Sequence, residues 1–259
     1  MKKLLLPGYT LWLREMVRFF RQRDRVIGAF ATPIVLWLVL GLGLGRSFQS
    51  SLAPTGHGYL EFFYAGTLVM ILLFTAIFST FTLIEDRREG FLQAVLVAPV
   101  GGWGLVLGKI LGGTTLAMIQ AVIFLAAAPM VGMKLSLAGV LWSVGVMFLQ
   151  AFALTGLGFT IAWWMNSTAG YHAIMNVFLI PLWLLSGAVF PASGAPVWLG
   201  WVMKANPLTY GVTALRAGLY WDVKHEDPTV GLIVTAIFAV AMLATSLMVV
   251  RRTTAGDLQ

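Results

Sequence analysis

Long runs without a charged residue dominate the chain, and their lengths predict helices that cross a membrane. A hydrocarbon core about 30 Å thick needs roughly 20 residues of helix. Runs of that length or more cover residues 26–45, 62–84, 110–133, 135–203 and 228–250. The fourth run is long enough for two crossings, with a polar turn at 166–170 between them. Because the runs lack period-two alternation, a β-barrel is disfavoured, and we predict an all-α membrane protein with six transmembrane helices.

These spans form one predicted transmembrane domain over residues 26–250, between an N-terminal segment, 1–25, and a cytoplasmic tail, 251–259. The predicted spans cover about residues 26–45, 60–84, 103–132, 136–165, 171–190 and 229–250. Both termini are predicted in the cytoplasm, because twelve of the 17 basic residues then lie inside and five outside. This asymmetry is what the positive-inside rule requires.

The N-terminal segment has the pattern of an amphipathic helix. On a helical wheel, Trp12, Met16 and Phe19 share one face with other apolar residues, and a row of arginines occupies another face. The arginines of this row are Arg14, Arg18, Arg21 and Arg25. We predict an interfacial helix that lies in the plane of the inner leaflet, with its rings among acyl chains and its guanidinium groups at lipid headgroups. The alternative is a helix that packs on a partner protein.

The turn between the second and third spans, residues 85–102, is predicted to contact a partner. Five consecutive charged residues, Glu85 to Glu89, precede an apolar stretch in which Phe91, Leu92 and Val95 recur at helical spacing. Pro99 and the glycines after it end the short helix that this spacing predicts. A connection that only joins two spans needs four to eight polar residues. The alternative is a solvated turn that merely obeys the positive-inside rule.

The connection between the fifth and sixth spans, residues 191–222, is too apolar for an ordinary external loop. Prolines interrupt it, yet Trp198 and Trp201 lie in an apolar stretch, and Asn206-Pro207 breaks the chain again. We predict short re-entrant helices in the outer leaflet, which the backbone tolerates only where protein or trapped water covers the broken ends. The alternative is an external amphipathic hairpin without a role in transport.

Composition excludes most other classes of protein. Of 259 residues, 59% are apolar and 10% charged, whereas soluble domains have about a half and a quarter. With no cysteine, disulfides and thiolate metal sites are excluded. The sequence offers no histidine pair or carboxylate pair for an enzyme, and no mid-span carboxylate for an ion-coupled transporter. Lys109, at the start of the third span, is expected to extend its long side chain to the inner surface.

Two separated stretches resemble the signature of ABC-2 type permeases. The first comprises residues 85–100 and 107–110, and the second comprises residues 185–191, 196–199, 206–210 and 214–216. Both occur in the expected order, and the six-span layout covers the whole chain. The resemblance is closest to the branch of drug exporters and nodulation-factor exporters. The family usually has Glu-Arg-Glu followed by Gly-Thr in the first stretch, whereas this chain has Glu89-Gly90-Phe91.

The resemblance implies the transmembrane half of an ATP-driven exporter, in which two permease copies work with two copies of a separate ATPase subunit. No nucleic-acid partner is implied. The chain itself holds no cofactor, and ATP and magnesium belong to the partner, since Ile110 stands where a phosphate-binding loop needs Ser or Thr after Lys109. The N-terminal helix would act as an elbow. The residues implied to dock on the ATPase are Glu85, Asp86, Arg87, Arg88, Glu89, Gly90, Phe91 and Leu92.

The resemblance also places a substrate path between the two permease copies, near the first, second and fifth spans. The candidate residues for this path are Trp37, Phe74, Phe78, Asn176 and Trp183. A low-charge path suits an amphipathic, lipid-like or glycan-bearing substrate exported across a bacterial-type inner membrane. The alternatives are a membrane subunit that serves assembly of an extracytoplasmic metalloenzyme, and a secondary transporter.

Overall fold

The computed structural model describes residues 2–44, 58–97, 101–191, 195–220 and 228–252, with backbone only at 2–5, 23–26, 96–97 and 101. Pro99, the Arg25 side chain and most of the predicted tail lie outside the described residues. Within the described part, the chain forms ten α-helices and no β-strand. The helices are α1 Lys2–Arg21, α2 Arg23–Leu44, α3 Tyr59–Arg88, α4 Phe91–Val97, α5 Gly101–Ala126, α6 Leu137–Trp164, α7 Thr168–Trp183, α8 Val197–Ala205, α9 Pro207–Leu219 and α10 Pro228–Arg252.

Six of these helices are long and apolar enough to cross a membrane, which confirms the prediction of six spans. They are α2, α3, α5, α6, α7 with the turn that extends it, and α10. We call the end of the bundle where α3 ends and α5 begins the proximal end. The opposite end, where α8 and α9 lie, is the distal end.

The third helix forms the centre of the bundle. Its apolar window is 89% buried within the chain, whereas the corresponding windows of α2 and α7 are only 22% buried. The helix is apolar on all sides, as expected for a helix surrounded by other helices. It packs against α2, α5, α6 and α7. The third helix therefore contacts four of the other five spans.

The position of α1 differs from the predicted position in the plane of a leaflet. Gly108 of α5 lies against Gly8 and Leu11 of α1, and one turn further along both helices Gly112 lies against Glu15. Because the contacts advance in the same direction on both helices, α1 runs alongside α5 rather than across it. The small residues allow the two backbones to approach closely.

The turn between α3 and α4 is shorter than the predicted loop. Residues 85–88 are still helical, and the chain reverses only at Glu89 and Gly90, where Gly90 adopts a left-handed φ of 74°. This conformation suits glycine because other residues meet steric hindrance there. The short helix α4 then covers the segment whose apolar spacing predicts one.

A break in the helix at the distal end is stabilised by side chains from other helices. A π-helical turn, Leu184–Ala188, extends α7, and within it Gly187 leaves helical geometry with a left-handed φ of 76°. The Asn206 amide donates to the Leu182 carbonyl at 2.6 Å, and Arg216 donates to the Gly187 carbonyl at 2.7 Å. Backbone groups freed by a break in an apolar environment need such partners.

Candidate functional site: a buried charge network at the proximal end

Charged side chains from three helices meet inside the proximal end of the bundle. Asp86 on α3 is fully buried, and Glu15 on α1 and Lys109 on α5 are only 3% and 6% exposed. Burying a charge is unfavourable unless it is paired and hydrogen-bonded. The contacts among these residues therefore decide whether the three helices can pack.

Two arginines of α1 form ion pairs with Asp86. Arg14 forms a bidentate pair with it, with Nη1 at 2.9 Å from Oδ2 and Nη2 at 2.6 Å from Oδ1. Arg18 donates to Asp86 Oδ1 at 2.7 Å and to Glu85 Oε2 at 2.8 Å. The hydrogen bond to Asp86 raises the pKa of the Arg14 guanidinium above its ordinary value, against an opposing effect of burial. Paired planar groups of this kind give both strength and a fixed orientation.

Lys109 connects the same carboxylate to α1. Its Nζ donates to Glu15 Oε1 at 2.6 Å, to Thr82 Oγ1 at 3.1 Å and to Asp86. Thr82 in turn donates to Glu15 Oε2 at 2.7 Å. We call the resulting set of cations and carboxylates the charge network, and Glu89 lies at its edge, with Oε1 3.5 Å from Arg18 Nη2. The network consists of Arg14, Glu15, Arg18, Glu85, Asp86 and Lys109.

Two predictions about this region are wrong. Lys109 does not reach the inner surface, because the two buried carboxylates hold it inside. Arg14 and Arg18 face carboxylates of the same chain rather than lipid headgroups. Arg21 is exposed, and its predicted contact with lipid headgroups stays a prediction. A second face of α1 is apolar and exposed, and lipid can contact it. This face consists of Leu13, Val17 and Phe20.

The predicted docking residues divide into an exposed group, a buried group, and Glu85 and Arg87, which are half-buried. Asp86 and Leu92 have no exposed surface, so they are corrected from docking contacts to residues that hold the turn in place. Arg88 and Glu89 are exposed, and Gly90 and Phe91 are partly exposed. We call these four residues, Arg88, Glu89, Gly90 and Phe91, the turn surface.

The turn surface is tied to the rest of the bundle on two sides. Arg88 of the turn surface donates to the Asn166 carbonyl at 2.9 Å, and its neighbour Arg87 donates to Asn166 Oδ1 at 3.1 Å, which connects α3 to the turn before α7. On the other side, the Arg14 guanidinium lies 4.0 Å from the centre of the Phe91 ring. The turn surface and the residues beside it therefore contact α1 and the turn before α7.

The path candidates also divide in the structure. Trp37 and Trp183 are buried, and their indole N–H groups donate to the carbonyls of Leu60 and Gly66 at 2.9 and 2.8 Å. Trp37 and Trp183 are therefore packing residues rather than path residues. Phe74, Phe78 and Asn176 remain at least partly exposed, on α3 and α7.

Sequence reasoning missed Glu15 as part of the site. The available signal was an ionisable residue in an apolar environment, since such groups usually pair with one another. Glu15 is the one carboxylate among the arginines of α1, and Lys109 interrupts an apolar run. Nothing in the sequence shows that residues 94 positions apart would meet.

Comparison with known proteins identifies the family. Residues 8–220 match the family model described as ABC-2 type transporter. The chain is 27% identical to a protein of Cyanophora paradoxa named as a transport permease, ycf38, over 80% of this chain and 72% of the relative. It is 24% identical to nodulation protein J of Sinorhizobium fredii, over 82% and 78% of the two chains. It is 22% identical to DrrC of Mycobacterium tuberculosis, named as a doxorubicin resistance ABC transporter permease, over 85% and 79%.

Proposed function

The chain belongs to the ABC-2 type transporter family, and from this premise we propose that it is the permease subunit of an exporter driven by ATP hydrolysis on a separate subunit. Its six apolar helices make it a multi-pass membrane protein. Its relatives are named as transport permeases, nodulation and drug-resistance proteins among them. The substrate class that we propose is amphipathic, lipid-like or glycan-bearing.

The separate ATPase is supported by the position of Lys109. This lysine follows a glycine-rich stretch, but its ammonium group is held between Glu15 and Asp86 and is not available to a phosphate. The residue after it is Ile110, which has no hydroxyl group for magnesium. ATP and magnesium are therefore assigned to the partner.

The proposed assembly contains two permease copies and two ATPase subunits. The low burial of α2 and α7 within one chain supports a second copy beside them. In the proposed orientation the proximal end and both termini face the cytoplasm of a bacterial-type cell, because basic residues are concentrated there. Phe74, Phe78 and Asn176, which stay accessible on α3 and α7, are proposed to line a path between the copies.

The observation that carries the proposal is the junction between the turn surface and the charge network. The turn surface offers both signs of charge beside an apolar ring, a combination that gives register and buried area to a contact. Directly behind it, Asp86 holds α1 and α5 through Arg14 and Lys109. We propose that closure of the ATPase pair pushes the turn surface and that the network transmits this movement to α1, α3 and α5.

Charge reversal on the turn surface tests the proposal. The tagged chain is purified from its native membrane in mild detergent, and the amount of copurifying ATP-binding subunit and its magnesium-dependent hydrolysis are measured. The double variant Arg88→Glu with Glu89→Arg should lose the subunit, because both charges of the contact are inverted. Within the chain it removes the 3.5 Å contact of Glu89 with Arg18 and the hydrogen bonds of Arg88 to Asn166, while the buried pairs of the network keep their residues. Arg252→Glu is the matched control, since Arg252 is also exposed but lies at the end of α10.

Two outcomes would contradict the proposal. One is full retention of the ATPase subunit and of hydrolysis in the double variant. The other is substrate flux driven by a proton gradient in vesicles that contain this polypeptide alone, because a secondary transporter would need no ATPase.

A further inference from the structure

A groove at the distal end has the chemistry of a lipid-binding site. It lies between α8, α9 and α10 and has a volume of about 560 Å³, within the range of pockets that hold small ligands. Apolar side chains form most of its wall, among them Val197, Trp201 and Val230. Lys204 is the one charged residue among those that line the groove. The groove therefore combines an apolar channel with a single cationic group.

Hydrogen bonds across the corner between α8 and α9 fix the shape of the groove. Thr209 donates to the Met203 carbonyl at 2.6 Å, and the Tyr210 hydroxyl donates to the Lys204 carbonyl at 2.9 Å. Asn206, between the two helices, accepts from the Leu208 N–H at 3.0 Å and so caps α9. A groove held in this way is formed before a ligand arrives, which lowers the entropic cost of binding.

The cation in the groove lies at an accessible surface. Lys204 is exposed, and it forms no ion pair with any of the residues that the structure describes. Its Nζ lies 5.5 Å from the centre of the Trp201 ring, a weak contact that orients the ammonium group without neutralising it. The polar groups of the lining thus favour an anionic head group over a neutral one.

The surface around the groove indicates that the ligand comes from the bilayer. Trp198 and Trp201 are 67% and 69% exposed, and Val197 and Val202 beside them are exposed as well. Tryptophan is enriched where a membrane meets water, because its ring is apolar and its N–H is polar. An apolar helix that carries two exposed tryptophans and a lysine matches the headgroup level of a membrane.

We propose that this groove binds an anionic phospholipid of the distal leaflet. Its phosphate pairs with Lys204, and one acyl chain lies along Trp201 and Val230. The bound lipid would cover the apolar side of the α8–α9 corner, which itself holds the broken end of α7 through Asn206.

Quenching of tryptophan fluorescence by brominated lipids tests the proposal on the full chain. The protein is reconstituted in vesicles with increasing fractions of phosphatidylglycerol or phosphatidylcholine, each brominated on its acyl chains. The quenching of Trp201 is obtained as the difference in quenched fluorescence between the unchanged chain and its Trp201→Phe variant. We expect half-maximal quenching of Trp201 at a fraction of phosphatidylglycerol about fivefold lower than the fraction of phosphatidylcholine that is needed. One lysine near the membrane surface attracts anionic lipid to about this extent. Lys204→Gln should abolish this preference.

Two variants serve as matched controls. Trp198 is equally exposed on α8 but does not line the groove, so the Trp198→Phe difference should show no preference between the lipids. Lys134→Gln removes an exposed lysine near the distal end of α6, and it should leave the preference of Trp201 intact. The proposal is overturned if both lipids quench Trp201 equally, if neither quenches it, or if Lys134→Gln abolishes the preference as fully as Lys204→Gln.

Discussion

Replacing the charged Lys109 by a neutral residue should destabilise the chain more than replacing both Lys109 and its partner Glu15 by neutral residues. Among the described residues, Lys109→Met leaves Glu15 with Thr82 and Arg14 as its polar neighbours, and the nearest Arg14 nitrogen lies 3.8 Å away. Breaking a buried ion pair by removing one partner costs about 3–5 kcal/mol, because the remaining charge stays buried without compensation. We expect a loss of this size in the free energy of unfolding.

The double variant Lys109→Met with Glu15→Gln removes both charges of the pair. Asp86 keeps its two hydrogen bonds from Arg14 and one from Arg18, so it does not become an uncompensated charge. The double variant should be more stable than Lys109→Met alone by about 0.5–3 kcal/mol, the range of coupling energies for residues in contact. Such a recovery would show that the loss comes from the unpaired carboxylate.

Chemical denaturation in mixed micelles measures the double variant and both single variants, Lys109→Met and Glu15→Gln, with loss of helical circular dichroism as the signal. A double-mutant cycle then separates the pair from the effects of each side chain alone. Additive losses would refute the reasoning, as would a single variant within about 0.5 kcal/mol of the unchanged chain, since surface substitutions have effects of that size.

Two further substitutions test the packing of the distal end by the same denaturation assay. A Cβ at Gly139 would overlap the backbone carbonyl oxygen of Gly218, so Gly139→Ala should destabilise the chain by about 1–3 kcal/mol, whereas Gly145→Ala on the same helix meets open space and should be neutral or slightly stabilising. Equal effects of the two alanines would contradict this packing. Asn206→Ala removes the cap of α9 and the partner of the Leu182 carbonyl, and should cost about 2 kcal/mol. An unchanged free energy of unfolding would show that neither bond contributes.

The six spans could be predicted because a membrane imposes a length and a polarity on each helix. Charge-free runs long enough to cross a bilayer are rare in soluble domains, where charged residues cover the surface. The short helix α4 likewise follows from the spacing of Phe91, Leu92 and Val95. The resemblance to a family added the function, since composition and span number alone fit many transporters.

The contacts of single side chains could not be predicted in the same way. A helical wheel places Arg14 and Arg18 on one face of α1, but phosphates of lipid and carboxylates of protein attract that face equally. Asp86 and Glu89 belong to one run of charged residues, yet Asp86 lies in the core and Glu89 lies at the surface. Only the packing of α1 and α5 against α3 decides between these environments.

The same limit accounts for the two tryptophans that are not in the path. Trp37 and Trp183 resemble path residues because they lie in the expected spans and carry large rings. Their N–H groups, however, each meet a backbone carbonyl inside the bundle. A buried indole usually finds such a partner, but the sequence does not show which carbonyl will be within reach.

Site-specific photo-crosslinking tests the central claim most directly, namely that an ATPase subunit bears on the turn between α3 and α4. A photoreactive residue at Glu89, which is 60% exposed, should crosslink to an ATP-binding subunit in native membranes. The same residue at Met130, which is 89% exposed at the distal end, should not. Crosslinking at Met130 but not at Glu89, or at neither position, would contradict the claim.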